Sequence, residues 1–218
     1  MPEDPHTPTP PSSPQADAAA AAGEGLDEAR RVLLRVAGVG GFVLLTSWFA
    51  VLGEIRLPPY GIPMSLQSLA VVLSALALGP RFGTLAMLVY YAVGLLGYGV
   101  FYEGHGGLVY AMGNTGGYLL GFILCQPVIA RGVRRPDGRL RGWLGFTLGV
   151  LGGHLVIFLV GVPWLYVAVR FGAGDETMTA WVAVREGFIT FAPLMLLKVG
   201  LAVMLGRLAA PWAMKRVW

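Results

Sequence analysis

The chain has 218 residues, of which 56% are hydrophobic and only 13% charged, with a mean hydropathy of +0.66. A soluble domain carries about 25% charged residues, so the composition excludes a water-soluble globular protein and implies an integral membrane protein with room for about six spans of ~20 residues. The net charge of +4 does not imply a nucleic-acid partner, because the basic residues cluster in loops between apolar runs, which is a pattern of membrane topology.

Residues 1–29 are expected to form a disordered cytoplasmic tail. Positions 1–25 are rich in Pro, Ala and Ser and show no hydrophobic periodicity, so they bury too little apolar surface to order themselves. The tail lacks the basic start and apolar core of a secretory signal. A transmembrane domain over 30–210 follows, and 211–218 form a cytoplasmic C-terminus.

The predicted spans are 36–53, 64–78, 82–98, 115–130, 143–169 and 186–208. The expected fold is therefore all-α, a bundle of six transmembrane helices. Between the first two spans, EIRLPPYGIP at 54–63 is a proline-rich turn that cannot continue a helix. Gly79-Pro80-Arg81 separates the second span from the third. The fifth is expected to bend near Gly161-Val162-Pro163. Cys125 lies alone inside an apolar run, where it cannot form an internal disulfide and reads as packing.

Lysine and arginine set the orientation. Twelve fall on the side holding both termini and the 131–141 loop, three (Arg56, Arg170 and Arg185) on the other, and Lys198 within a span. Both termini and the 131–141 loop are expected to be cytoplasmic. Segments 54–63, 98–114 and 171–185 then face outward from a multi-pass protein of the cytoplasmic membrane.

The stretch 98–122, YGVFYEGHGGLVYAMGNTGGYLLGF, is too aromatic for a connecting loop and too rich in irregular glycines for a span. Non-helical backbone at membrane depth persists only where protein buries it or a cavity wets it. This stretch is expected to be the lid and wall of a small-molecule pocket. Asn114, Thr115 and Tyr118 open the fourth span, where free N–H groups and the positive end of the helix dipole favour a ligand acceptor.

Lys198 lies deep in the sixth span, where a charge costs about 2.5–3.5 kcal/mol or more. Snorkelling to an interface would take its stem roughly two turns. The alternative is a pocket lysine that meets a ligand oxygen. No acid lies within one turn of it, so its partner must come from another helix, a loop, water or the ligand. Gln67 and Ser68 place an amide and a hydroxyl near the outer end of the second span, for helix packing or for ligand contact. His154 reads first as a hydrogen bond between helices. Gly145, Gly149 and Gly153, like Gly117 and Gly121, recur every four residues and suit close packing, while Ala37 and Gly41 offer the same spacing to a partner helix.

Other chemistries lack their parts. The sequence has no P-loop, no G-x-S-x-G elbow, no metal-ligand cluster and no acid pair within a span. No enzymatic activity, cofactor or metal is expected. Glu103 and His105 read as solvated loop residues.

The order IPMSLQSL, LGPRFGTLAMLVYYAVGLLGYGVF, GHGGLVYAMGNTGGYLLGF, GHLVIFLVGVPWL and PLMLLK resembles the BioY biotin transporters over about 38–208. These are substrate-binding membrane subunits of energy-coupling-factor importers. The resemblance implies a six-helix bundle that binds biotin from outside and works with a transmembrane coupling subunit and two cytoplasmic ATPases. Together with the readings above, it makes Lys198, Asn114, Thr115, Tyr118 and Gln67 the expected substrate-site residues. The family's usual G-P-T-G-G-Y becomes Gly113 to Tyr118 with Asn114 in place of proline, and its P-G-D-x-x-K becomes Pro193 to Lys198 with Leu194 and Met195 in place of glycine and aspartate. Losing that acid removes a bond worth about 1.5–3 kcal/mol, roughly ten- to a hundredfold in affinity. Asn114 is the candidate to compensate. Two other readings are a different small vitamin on the same architecture, and a structural membrane protein whose pocket has decayed.

Overall fold

The computed structural model describes residues 14–52, 55–57 and 62–217. Positions 1–13 of the expected tail, and 53, 54 and 58–61 in and beside the proline-rich turn, lie outside the described residues. Helix α1 spans Pro14–Val51. From Pro14 onward the anticipated tail is therefore helical, because its alanine run has the highest helix propensity of any residue type. The proline-rich turn is bracketed by two short antiparallel strands, β1 (Ile55–Leu57) and β2 (Ile62–Met64), with Ile55 opposite Met64.

Helix α2 covers Gln67–Leu95 but is broken at Gly79, whose φ of 77° is the left-handed conformation that glycine tolerates. The two arms, 67–78 and 80–95, fold back on each other. Gln67 donates a hydrogen bond to the Tyr90 hydroxyl, whereas a straight helix would set residues 23 apart at about 35 Å. A Cβ on Gly83 would stand 3.3 Å from Ala75 Cα, so a larger residue would force the arms apart.

The segment after α2 holds a single 3-10 turn, Tyr102–Gly104, and a short helix α3 (Leu108–Ala111). Phe101 is fully buried there, edge-on to Tyr90 at 5.6 Å and stacked on Tyr110 at 5.6 Å. Its ring occupies the space that a side chain on Gly94 would need. These rings make an aromatic plug.

Helix α4 spans Gly116–Gly132 and α5 spans Trp143–Val167, with Pro163 inside its continuous run. After a wide turn at Ala168–Gly172 come α6 (Ala180–Gly187), a 3-10 turn at Ile189–Phe191, and α7 (Ala192–Arg216). The expected single span at 186–208 is thus interrupted. Backbone geometry breaks at Phe188, and Pro193 sits in the first turn of α7, where its missing N–H costs nothing.

Helices α4 and α5 pack backbone to backbone. Gly117 lies under Trp164, Gly121 against Ile157, Gly132 against Gly149, and Gly153 under Ile129, as the four-residue glycine spacing predicts. Gly145 is the exception, since the atoms nearest a Cβ there belong to Arg141 of its own chain segment. Gln126, fully buried on α4, donates to the Val71 and Phe122 carbonyls at 2.9 and 3.1 Å and accepts from Ser74 Oγ at 2.9 Å, which ties α2 to α4.

The architecture is nearly all helical. Among the described residues, four helical stretches are long and apolar enough to cross a bilayer: Gly23–Val51, Gln67–Leu95, Trp143–Gly172 and Ala180–Ala213. The expected count of six is not reproduced at that length, because α2 is one such stretch with a fold in it and α4 has only 17 residues. Exposed Leu44, Trp48, Leu124, Leu148, Leu159 and Leu196 cover the outside with apolar surface suited to lipid. At one end of the bundle, Arg35 donates to the Val217 carbonyl at 3.0 Å and lies over Phe82, while Arg207 donates to the Arg141 carbonyl at 2.6 Å. Basic residues from distant parts of the chain therefore gather at one end.

Candidate functional site

Lys198 occupies the second turn of α7 and is 7% exposed. It does not snorkel. Its ammonium donates to the Ser65 carbonyl at 2.6 Å and to Ser68 Oγ at 3.0 Å, so its partners come from the start of α2. Two of its three protons are thereby used. Ser65 Oγ accepts from the Gln67 N–H at 3.3 Å, and Tyr90, which receives the Gln67 amide, passes a bond to the Val100 carbonyl at 3.0 Å. A chain of polar groups thus runs from α7 through α2 to the loop beyond it.

A cavity of about 80 Å³ adjoins this chain, enough for several waters. Ser65, Gln67 and Ser68 line it from the start of α2, Tyr118 and Phe122 from α4, His154, Ile157 and Phe158 from α5, and Phe191, Leu194, Met195 and Lys198 from α7 and the turn before it. It sits in the half of the bundle away from the arginine-rich end, because α2, α4 and α7 all begin there. Their dipoles add positive potential to that of Lys198. Such a site attracts an acceptor oxygen.

Three of the expected site residues meet here: Lys198, Gln67 and Tyr118. Tyr118 donates to the Gly187 carbonyl at 2.9 Å, which links α4 to α6. Asn114 and Thr115 are not among the cavity-lining residues. They precede α4 beside Gly113, whose carbonyl accepts from the Trp164 indole at 2.9 Å, so that end of the helix is covered by α5. Of the stretch 98–122, only Tyr118 and Phe122 reach the cavity, while Phe101 and Tyr110 pack in the plug with Tyr90 and Tyr91. His105 stacks on Tyr110 at 5.1 Å, away from the cavity.

Sequence reasoning missed the aromatic wall. Phe122, Phe158 and Phe191 supply it beside Tyr118. Helical spacing carries the signal. Phe191, Leu194, Met195 and Lys198 share one face of the chain at three- and four-residue steps, as do His154, Ile157 and Phe158.

Comparison with known proteins agrees with this architecture. The model of the BioY family matches residues 21–215. A probable biotin transporter BioY of Lysinibacillus sphaericus is 37% identical over 121 residues, which cover 56% of this chain and 60% of that protein. Its counterpart in Pyrococcus horikoshii is 35% identical over 60% of this chain and 73% of its own length. The biotin transporter BioY of Thermotoga maritima is 32% identical over 74% and 89%, respectively. Among solved structures, the S-component for biotin from an ECF-type ABC transporter superposes with a TM-score of 0.71 at 21% identity, covering 80% of this chain and 89% of that one. That likeness establishes a shared fold.

Proposed function

Because the chain belongs to the BioY family, we propose that it binds biotin with high affinity and takes it up across the cytoplasmic membrane as the substrate-binding subunit of an energy-coupling-factor transporter. The work is binding and gating; no reaction is catalysed. A transmembrane coupling subunit and two ATPase subunits supply the energy, which accords with the lack of a P-loop in this chain.

The observation that carries the reading is Lys198, a buried cation held by Ser65 and Ser68 at the edge of a cavity. A charge is not kept inside a bundle without a role to offset its desolvation. In this reading Lys198, Gln67 and Tyr118 touch the ligand, while Asn114 and Thr115 shape the start of α4. Ligand pockets measure about 300 Å³ or more, so the cavity must widen to admit biotin. Phe191, on the turn that interrupts α6 and α7, is the side chain placed to move.

The six-span topology follows if the two arms of α2 and helix α4 each cross the membrane. Both termini then lie in the cytoplasm, because the contacts of Arg35 with Val217 and of Arg207 with Arg141 collect the basic residues at one end. The domain plan is a cytoplasmic tail at 1–29, the substrate-binding membrane domain at 30–210 and a short C-terminus at 211–218.

Equilibrium binding of labelled biotin to the purified protein is the test. Saturable binding is expected, and its absence at micromolar ligand overturns the proposal. A second reading, a different small vitamin, is motivated by Met195, which lines the cavity and offers only a weak sulfur acceptor. A competition panel separates the two ligands, and a sharp gain in biotin affinity in Met195→Asp favours the second. A purely structural role is disfavoured by the polar lining, since a decayed pocket would be filled by apolar side chains.

A further inference from the structure

His154 belongs to the cavity wall and is 1% exposed. Its Nδ1 lies 3.2 Å from the Val150 carbonyl, one turn back on α5. A carbonyl only accepts, so Nδ1 carries the proton, and in the neutral ring Nε2 keeps a bare lone pair. That nitrogen is buried with no hydrogen-bond partner among the described residues. Because Nδ1 is turned back to its own helix, the other nitrogen faces away from the α5 backbone, toward the interior. Lys198 donates to Ser65 and Ser68 and does not satisfy it. A buried acceptor left unpaired is costly, so its partner belongs with whatever fills the cavity.

We propose that His154 Nε2 accepts a hydrogen bond from an N–H group of the ligand's polar ring and thereby selects ligands that carry one there. The proposal rests on the biotin reading. A cyclic urea presents a carbonyl oxygen and a neighbouring N–H on one edge, and the cavity offers a matching pair: Lys198 as donor and His154 as acceptor. His154 would thus provide, from α5, an acceptor that Met195 on α7 provides only weakly. The assignment that the sequence suggested for Asn114 passes to a residue that lines the cavity.

The experiment measures equilibrium binding to purified full-length protein of biotin and of the two cyclic carbamate analogues, each with one ureido N–H replaced by oxygen. In the unmodified protein one analogue should bind about tenfold or more weakly than biotin. In His154→Phe that gap should close, because biotin itself loses the bond. A merely structural histidine would shift all three ligands together, and a gap that persists unchanged in the variant overturns the proposal. Two analogues that both equal biotin in the unmodified protein overturn it as well. No binding of biotin at all sinks the biotin reading instead.

A readout that leaves His154 in place guards against a misfolded variant. The chain has three histidines, so ¹⁵N-histidine labelling, with His6→Asn and His105→Asn for assignment, isolates the His154 signal. Its Nε2 resonance should move toward the hydrogen-bonded position on adding biotin. A resonance that stays in place while biotin binds overturns the proposal.

Discussion

The seam between α4 and α5 and the cavity enclosed by α2, α4, α5 and α7 lie in the same bundle and are built oppositely. At the seam, glycines remove the side chains, so one backbone rests on the other: Gly132 against Gly149, Gly121 against Ile157. At the cavity, long polar and aromatic side chains meet from four helices and leave about 80 Å³ open. The same two helices serve both places. Tyr118 and Phe122 of α4, and His154, Ile157 and Phe158 of α5, face the cavity while the glycines beside them close the seam. The tight seam therefore fixes the spacing of one wall, and α2, α7 and Phe191 supply the rest of the lining.

The largest effect should come from breaking the seam. In Gly117→Val the new side chain would overlap Trp164 and crowd the Val160 carbonyl. We expect a loss of about 3 kcal/mol or more, read as a fall in thermal midpoint and in the monodisperse fraction in detergent. An unchanged midpoint would mean that the seam is not rigid.

Lys198→Ala tests the other region. Biotin binding should weaken by about a hundredfold or more, since a charged donor is removed from the cavity. The thermal midpoint should hold or rise, because a desolvated cation is removed as well. Equal affinity in variant and parent would take Lys198 out of the site.

The smallest effect on the isolated protein is expected on α1, outside both regions. Ala37 and Gly41 are exposed, and nothing lies within 4 Å of a Cβ built on Gly41. Ala37→Leu with Gly41→Leu should leave stability and biotin binding unchanged while blocking uptake in cells, if a coupling subunit docks there. Uptake at the parental rate would exclude that face as the docking site.

Much of this molecule could be read from local pattern. The apolar runs, the break at Gly79-Pro80, the start of α4 after Thr115 and the glycine spacing each depend on residues a few positions apart, and each appears in the structure. The four-residue rule located the seam because small residues on one helical face let a neighbouring backbone approach closely. Local pattern says less where a side chain's surroundings come from afar. The stretch 98–122 has the composition of a pocket wall, yet Phe101 draws Tyr90, Tyr91 and Tyr110 around itself. Asn114 and Thr115 stand at a helix start that suits a ligand, but Trp164, some fifty residues later, reaches that end first.

The sequence alone determined the solvent of this protein, its helical class, its family resemblance and the oddity of Lys198, because hydropathy and the price of a charge in lipid are properties of single segments. Only the tertiary structure decided who shares the lysine's company. Ser65 and Ser68 lie 133 and 130 residues away from it, and His154 was one lone histidine in an apolar helix until α5 was packed against the cavity. Hydrogen bonds between distant segments depend on how helices pack, and no local periodicity records that.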